Sequence, residues 1–284
     1  STHYLESNYL YVDEVRTGAS MFYFAKGDNV KSAAEDFSHQ VSQSFEKKRK
    51  NNKKLAIDKI MLDGFKSLES RDFKIENGEK IMEHARSIKS AEEIKAMRCS
   101  ISACETSIHV MEKETKPGMT ENDIWSILHS ENIKRGGEWI ETRLLSSGTK
   151  TNPWFQECGS RILQNNEIVA FDTDLVGCYS ICTDISRTWW IGDQEPTKEM
   201  KQDYQIALEH TQKNAELVAP GVHFKDLTFK GHQLDDMYKK QQYSCRFHGV
   251  GLCDEFPLIT YPEDYEEGAF CLLYTSPSPR DGTK

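Results

Sequence analysis

Three aspartates within an otherwise apolar β-strand pattern constrain this chain more than any other feature. Asp172 and Asp174 follow the apolar run 168–171, and Asp184 follows a turn predicted near Gly177. Side chains two apart in a strand point to the same face, so we expect Asp172 and Asp174 on one face and Asp184 beside them on a neighbouring strand. Three converging carboxylates cannot all stay ionised without a cation, because like charges repel and burial penalises each charge.

A divalent metal ion is the simplest cation to satisfy this pattern. Carboxylate oxygens together with a histidine nitrogen suit hard or borderline metals, and His248, in the run His-Gly-Val-Gly, is the candidate histidine. The alternative is that the aspartates are solvated charges on an exposed face of a sheet. The apolar residues around them, and the presence of a third aspartate, favour the metal site.

Two pairs of helices are predicted, separated by the strands that carry the aspartates. The first long helix begins at a capping box of Ser90 and Glu93 and continues as an amphipathic stripe to a Pro-Gly stop, after which the run 120–123 (Thr-Glu-Asn-Asp) caps a second helix. A second long helix, about residues 198–218, also ends at Pro-Gly, and the segment 222–238 then reads as a shorter helix. This repetition predicts an α/β (α+β) protein with two structurally related halves around a shared sheet.

The composition predicts a protein that binds neither nucleic acid nor membranes. The net charge of −9 disfavours polyanionic partners. No window approaches the about 18 consecutive apolar residues that a membrane-spanning helix needs. The eight cysteines form no Cys-x-x-Cys pair, which predicts reduced thiols and a cytoplasmic location.

The chain divides into three predicted segments. Residues 1–87 form a small α/β N-terminal domain, expected to be incomplete because the chain begins with Ser1 rather than Met. Residues 88–270 form the catalytic domain. Residues 271–284 lose all periodicity and are expected to be a non-native tail, so we expect the natural protein to continue differently after residue 270.

The combination of these motifs resembles the creatinase/aminopeptidase-P family of metalloenzymes over about residues 88–270. The resemblance implies the pita-bread fold, in which two pseudo-symmetric halves enclose a dinuclear metal site. The ligands implied here are Asp172, Asp174, Asp184 and His248. The two glutamates that complete the family's ligand set cannot be placed in this chain. Homodimers are common in this family, so a homodimer is also implied.

Two departures from the peptidases of this family distinguish the chain. A histidine expected upstream of the first aspartate is absent from the run 152–155 (Asn-Pro-Trp-Phe), and Asp254 stands where the second histidine of the His-Gly-x-Gly motif is expected. Both changes disfavour peptide hydrolysis. They resemble the branch of dimethylsulfoniopropionate (DMSP) lyases of the DddP type, which implies iron as the metal, although zinc, manganese and cobalt also suit these ligands.

The resemblance to this branch implies a role for each remaining candidate. Asp254 is the general base that removes a proton from DMSP, leading to dimethyl sulfide and acrylate. Tyr243 matches an aromatic residue that contacts substrate, and Trp154 and Phe155 are further aromatic candidates for the sulfonium cation. The alternatives are an Xaa-Pro peptidase or other hydrolase of the same fold, and a non-catalytic binding module, which would be expected to lose the metal ligands.

Overall fold

The computed structural model of the protein describes residues 15–48 and 52–266. The chain divides into two compact units, Ser1–Glu83 and His84–Lys284. The domain limit predicted at residue 87 falls shortly after this division and stays a prediction. The predicted tail, residues 271–284, lies outside the described residues.

The first unit contains a parallel pair of strands joined by a helix. Strand β1 (Lys54–Ile57) pairs with β2 (Lys74–Asn77), with Leu55 opposite Ile75. Parallel strands need a crossover connection, and a helix between them supplies it. The helices up to residue 87 are α1 (Tyr23–Lys26), α2 (Val30–Lys48), α3 (Leu62–Glu69) and α4 (Glu79–Ser87).

Two capped helices form one side of the second unit. In α5 (Ala91–Glu114), Ser90 Oγ accepts a hydrogen bond from the Glu93 backbone N–H, and the Glu93 carboxylate accepts one from the Ser90 N–H. Helix α6 (Glu121–Lys134) begins at a second capping box. Both predicted helix starts are confirmed. Their apolar stripes bury a core against the strands. This core includes Cys104, Ile108, Met111, Ile124, Trp125, Leu128, Leu145, Leu163, Val169, Phe171 and Leu175.

Two antiparallel three-stranded sheets and a hairpin make up the described β structure of the second unit. The first sheet has the order β4–β5–β8, the second has the order β3–β6–β7, and β9 pairs with β10. Their strands are β3 (Trp139–Ile140), β4 (Leu145–Ser147), β5 (Glu167–Phe171), β6 (Asp174–Val176), β7 (Cys182–Asp184), β8 (Arg187–Ile191), β9 (Phe247–Val250) and β10 (Asp254–Ile259). The turn predicted near Gly177 is confirmed, because β6 and β7 are antiparallel neighbours.

The chain passes from one sheet to the other at Asp172 and Thr173. The Asp172 N–H still donates to the Leu144 carbonyl at the edge of the first sheet, at 2.9 Å. Thr173 Oγ1 already donates to the Thr183 carbonyl of the second sheet, at 3.1 Å. The prediction that Asp172 and Asp174 share one strand was therefore wrong: β5 ends before Asp172, and β6 begins at Asp174.

The second pair of helices repeats the long-then-short order of the first. Helix α7 (Lys198–Glu216) precedes α8 (Phe224–Lys230) and the short α9 (Asp236–Lys239). The prediction of one helix over 222–238 was wrong: α8 ends before Gly231, whose backbone is extended, and the His232 carbonyl that follows accepts a hydrogen bond from buried Arg246 at 2.7 Å. None of the helices in the described ranges is long and apolar enough to cross a membrane.

Candidate active site

A line of polar contacts joins Asp172, Asp184 and His248. Asp184 Oδ2 lies 3.0 Å from His248 Nε2, and Asp172 and Asp184 share a hydrogen bond. The other imidazole nitrogen, Nδ1, lies 3.0 Å from the carbonyl of Gly249. Strand β7 carries Asp184 and strand β9 carries His248, so the contact joins the second sheet to the hairpin.

Burial and mutual repulsion shift the pKa values of the groups along this line. Burial, followed by the hydrogen bond and negative charge of Asp184, raises the pKa of Asp172 to about 7. Burial also raises the pKa of Asp184, but its hydrogen bonds with His248 and Asp172 outweigh burial and lower it. The hydrogen bond to Asp184 raises the pKa of His248 to about 9. A divalent cation bound to these groups would favour the ionised form of each carboxylate.

Asp174 lies beside the same line on the neighbouring strand. Its Cα is the register partner of the Asp184 Cα, and its Oδ2 accepts a hydrogen bond from Thr142 Oγ1 at 2.7 Å. Its negative charge contributes to the raised pKa values of Asp172 and Asp254. The three predicted aspartates thus come together across the two sheets, although they do not lie on one pair of strands.

Asp254 completes the group at the start of β10. One oxygen or nitrogen atom each of Asp184, His248 and Asp254 lies within 4.8 Å of the others. Asp254 Oδ1 is 3.8 Å from His248 Nδ1, and the Asp254 side chain is 55% exposed. Burial, followed by the charges of Asp174 and Asp184, raises the pKa of this carboxyl against the lowering effect of His248. Asp254 is thus the most accessible carboxylate of the group.

The donor set fits a divalent metal ion. It offers several carboxylate oxygens and one imidazole nitrogen, and two of its carboxylates are close enough to share a hydrogen bond. Such a pair of buried acids is costly without a cation, and oxygen-rich sets with one histidine bind hard or borderline divalent metals. The described residues therefore supply one side of a metal site.

The predicted aromatic residues lie on two neighbouring loops. The rings of Phe155 and Tyr243 are stacked with centroids 5.6 Å apart and planes inclined by 15°. Trp154 contacts Phe155, with centroids 6.5 Å apart. Burial, followed by the nearby charges of Asp172 and other acids, raises the pKa of Tyr243 to about 12. Tyr243 is therefore close to the carboxylate group, whereas Trp154 reaches Tyr243 only through Phe155.

Tyr243 also lines a cavity of about 390 Å³. The wall includes the aromatic rings of Tyr238 and Tyr261 and the imidazole of His210. Its volume is sufficient for a small organic molecule. Tyr243 therefore lies between an aromatic cavity and the cluster of acids.

Three residues around the site, Ser186, Thr142 and Glu255, were not predicted from the sequence. Ser186 Oγ donates to Asp172 Oδ1 at 2.7 Å, and Thr142 donates to Asp174. Glu255, next to Asp254, has a side chain only 1% exposed and lies between Lys89 and Arg86. The only sequence signal for Glu255 was its place in the His-Gly-x-Gly motif, and no local pattern marks Thr142 or Ser186.

Comparison with proteins of known sequence identifies relatives of this chain. The chain is 52% identical over 264 residues to a protein of Roseovarius nubinhibens named dimethylsulfoniopropionate lyase DddP, an alignment that covers 91% of this chain and 59% of that protein. A protein of Roseobacter denitrificans with the same name is 51% identical over the same shares. The chain thus spans less than two thirds of the length of these relatives.

Comparison with solved structures confirms the predicted fold. An X-Pro aminopeptidase of Thermotoga maritima matches with a TM-score of 0.66 at 22% identity, covering 81% of this chain and 65% of that one. The prolidase of Pyrococcus furiosus matches with a TM-score of 0.68 at 19% identity, covering 78% of this chain and 65% of that one. The second unit thus has the pita-bread fold of these proteins and the α+β class predicted for it.

The family model of the M24 metallopeptidases matches residues 95–270. This range contains every acid and histidine of the group described above. Membership of a metallopeptidase family implies a divalent metal, in agreement with the carboxylates that surround the contact of Asp184 with His248. The chain belongs to metallopeptidase family M24.

Proposed function

We propose that the protein is a metal-dependent lyase that cleaves DMSP to dimethyl sulfide and acrylate. The observation that carries this proposal is Asp254, an accessible carboxylate that stands beside His248 and Asp184, where a peptidase of the family is expected to have a histidine. The 52% identity to a protein named as a DMSP lyase supports the same reaction.

Asp172, Asp174, Asp184 and His248 are the proposed metal-holding residues. Asp184 and His248 are in direct contact, Asp172 shares a hydrogen bond with Asp184, and Asp174 lies in register with Asp184. We propose iron in a dinuclear site, with zinc, manganese or cobalt as metals that the same donors accommodate. When bound, the metal supplies Lewis acidity toward the substrate carboxylate, so that negative charge developing next to it is stabilised.

Asp254 then acts on the carbon next to the substrate carboxylate. Its carboxylate accepts the proton from that carbon, and the electrons of the broken C–H bond form the new carbon–carbon double bond. The bond between the next carbon and sulfur breaks, and its electron pair leaves with neutral dimethyl sulfide. Acrylate remains, and the proton on Asp254 returns to solvent, which the 55% exposure of this side chain allows.

The aromatic side chains bind the cationic end of the substrate. A sulfonium carries a permanent positive charge that aromatic faces attract by about 0.5–2 kcal/mol. Tyr243 is stacked with Phe155 and lines the adjacent cavity, and Trp154 extends this aromatic group. With its pKa raised to about 12, the Tyr243 hydroxyl is neutral near pH 8, as that of an unperturbed tyrosine also is, so the ring face carries the attraction.

Headspace gas chromatography for dimethyl sulfide tests the proposal. The metal-loaded protein, in a version that extends over the full length of the relatives, is given DMSP beside Asp254→Asn. The matched control is Asp193→Asn. Asp193 is exposed and follows the end of β8 that pairs with Glu167, the first residue of β5. Asp172 follows the opposite end of β5, so the control residue lies away from the site.

We expect sulfide from the wild type and from Asp193→Asn, and a loss of about 100-fold or more in Asp254→Asn, the usual scale for a general base. If the folded, metal-loaded wild type releases no sulfide, the lyase proposal fails. Xaa-Pro dipeptides are then the next substrates to test, because the solved structures that resemble the chain include Xaa-Pro peptidases.

Two further properties complete the proposal. We propose a homodimer, as the resemblance implies, and light scattering coupled to size-exclusion chromatography measures it. We propose a cytoplasmic location, supported by the described cysteines, all of which carry free thiols.

A further inference from the structure

Glu255 is a buried acid that the proposed reaction does not use. Its Oε2 lies 2.5 Å from Lys89 Nζ, and its Oε1 lies 3.7 Å from Arg86 Nε. The Lys89 side chain is itself only 12% exposed and also donates to the Arg86 carbonyl at 2.7 Å. A buried carboxylate is costly unless it is paired and hydrogen-bonded, and here two cations from the segment before α5 pair with it.

The Glu255 carboxylate also closes the turn between β9 and β10. Its Oε1 accepts a hydrogen bond from the Leu252 N–H at 2.9 Å. A Cβ at Gly251 would lie only 2.6 Å from this carboxylate, so a residue with a side chain cannot replace Gly251 without moving Glu255. The Gly251 N–H donates to the Cys253 carbonyl at 3.0 Å. The turn is thus folded around the buried acid.

This turn connects the strands that carry the site. The Gly251 carbonyl accepts a hydrogen bond from the Cys182 N–H at 2.7 Å, on the same strand as Asp184. On the other side of the turn, Asp254 lies in register with Val250, and Glu255 lies in register with Gly249, the residue after His248. A shift of Glu255 would therefore move Asp254 relative to both Asp184 and His248.

The Asp254 side chain has little else to hold it. Among residues 15–48 and 52–266 it makes no hydrogen bond, and the one ion pair described for it is the 3.8 Å contact with His248. The position of the Asp254 side chain is consequently set by the backbone at Asp254. That backbone is in turn positioned by the turn that Glu255 closes. The start of α5, fixed by the Ser90 capping box, supplies the cation Lys89 that holds Glu255.

We propose that Glu255, clamped by Lys89 and Arg86, is the positioning residue that holds Asp254 in reach of His248 and Asp184. This inference rests on the proposed function insofar as Asp254 is the base. Groups that must meet a substrate in a defined geometry lose much of their effect when displaced by about 1 Å. The clamp therefore acts on the rate of the chemical step, with little effect on substrate affinity.

Glu255→Gln is the principal variant, because glutamine keeps the shape and the acceptor for Leu252 but loses the charge. Lys89→Met removes the partner, and the double variant tests whether the two act together. The matched control is Lys95→Met, since Lys95 is a nearby lysine in the first turns of α5 and pairs with Glu92 at 2.9 Å on an exposed surface. Melting temperatures are recorded for all variants.

We expect Glu255→Gln and Lys89→Met each to lower kcat for sulfide release by about 10- to 100-fold, with KM changed less than about threefold. The double variant should be no slower than the slower single variant, because each change breaks the same clamp. Lys95→Met should match the wild type. Unchanged kcat in both single variants, or a lower melting temperature as their only change, would overturn the proposal.

A Co²⁺ titration followed by visible absorption provides a readout that does not need turnover. Because Glu255 lies in register with Gly249, the residue after His248, a displaced turn also moves a proposed metal ligand. Glu255→Gln should therefore bind Co²⁺ more weakly than the wild type and with an altered spectrum, whereas Lys95→Met should not. A wild type that binds Co²⁺ but releases no sulfide would contradict the proposed function, and the positioning role is then decided by the Co²⁺ spectra alone. Identical spectra in Glu255→Gln and wild type would refute it.

Discussion

At the scale of single residues, Asp184 connects the other groups of the site. It is in register with Asp174, it shares a hydrogen bond with Asp172, and its Oδ2 lies 3.0 Å from His248. Asp254 joins the same group, but among the described residues its side chain makes no hydrogen bond and one ion pair, the 3.8 Å contact with His248. The side chains of the proposed metal ligands thus have more polar contacts than the side chain of the proposed base, Asp254.

Replacing Tyr243 should weaken substrate binding through loss of an aromatic face. We expect Tyr243→Ala to raise KM for DMSP by about 2- to 30-fold, which corresponds to the usual strength of a contact between a cation and an aromatic ring. Tyr243→Phe should stay close to the wild type, because the ring is retained. Steady-state kinetics of sulfide release measure this.

Tyr204→Ala is the matched control, because Tyr204 is an exposed aromatic residue of α7 that does not line the cavity beside Tyr243. An equal rise of KM in Tyr243→Phe and Tyr243→Ala would assign the effect to the hydroxyl group and contradict the role proposed for the ring.

At the scale of secondary-structure elements, a second buried acid fastens a helix to the first sheet. Glu121, the first residue of α6, is fully buried. Its Oε1 accepts hydrogen bonds from the N–H and Oγ of Ser147 on β4, at 3.0 and 2.8 Å. Its Oε2 accepts hydrogen bonds from Lys150 Nζ at 2.8 Å and the Gly159 N–H at 3.1 Å. A negative charge at this end of a helix is also favourable for the helix dipole.

Glu121→Ala should destabilise the second unit strongly. Removing one partner of a buried charged pair costs about 3–5 kcal/mol, and the substitution also leaves the donors of Ser147 and Gly159 without their acceptor. We expect a decrease of about this size in the free energy of unfolding, measured by urea denaturation followed by tryptophan fluorescence. Glu114→Ala, at the exposed end of α5, is the control, and a similar loss in both variants would contradict the expectation.

At the scale of the whole molecule, the chain consists of two compact units with separate cores. The first unit buries Leu68 and Phe73, and the second buries the larger apolar set around Ile124 and Leu145. All five tryptophans belong to the second unit, namely Trp125, Trp139, Trp154, Trp189 and Trp190. Tryptophan fluorescence therefore reports on the second unit alone, whereas circular dichroism reports on the helices of both.

Two probes should accordingly give different unfolding curves. Chains with more than one unit commonly depart from a single two-state transition. We expect the urea curve from far-ultraviolet circular dichroism to begin at lower urea than the curve from tryptophan fluorescence, because the first unit has the smaller core. Coincident curves with one midpoint would show that the two units unfold together and would overturn this expectation.

Local features of the site and fold were predictable to the extent that they depend on neighbours in sequence. The caps at Ser90 and Thr120 and the turn near Gly177 were confirmed, because capping and turn formation involve residues only a few positions apart. The strand through Asp172 and Asp174 was predicted wrongly, because strand periodicity alone does not show that the chain changes sheet at Thr173. The interruption after α8 was missed, because helical periodicity signals neither the extended backbone at Gly231 nor the contact of His232 with Arg246, which is distant in sequence.

The sequence by itself determined the set of acids and the histidine, the helix starts and the α+β class, since periodicity, capping and the cost of burying charge are properties of short segments. Only the tertiary structure decided which donors meet. Asp184, His248 and Asp254 come from a sheet and a hairpin far apart in the chain, and their distances depend on how these elements pack. The same holds for Glu255, because its burial and its two cations are set by contacts across the fold.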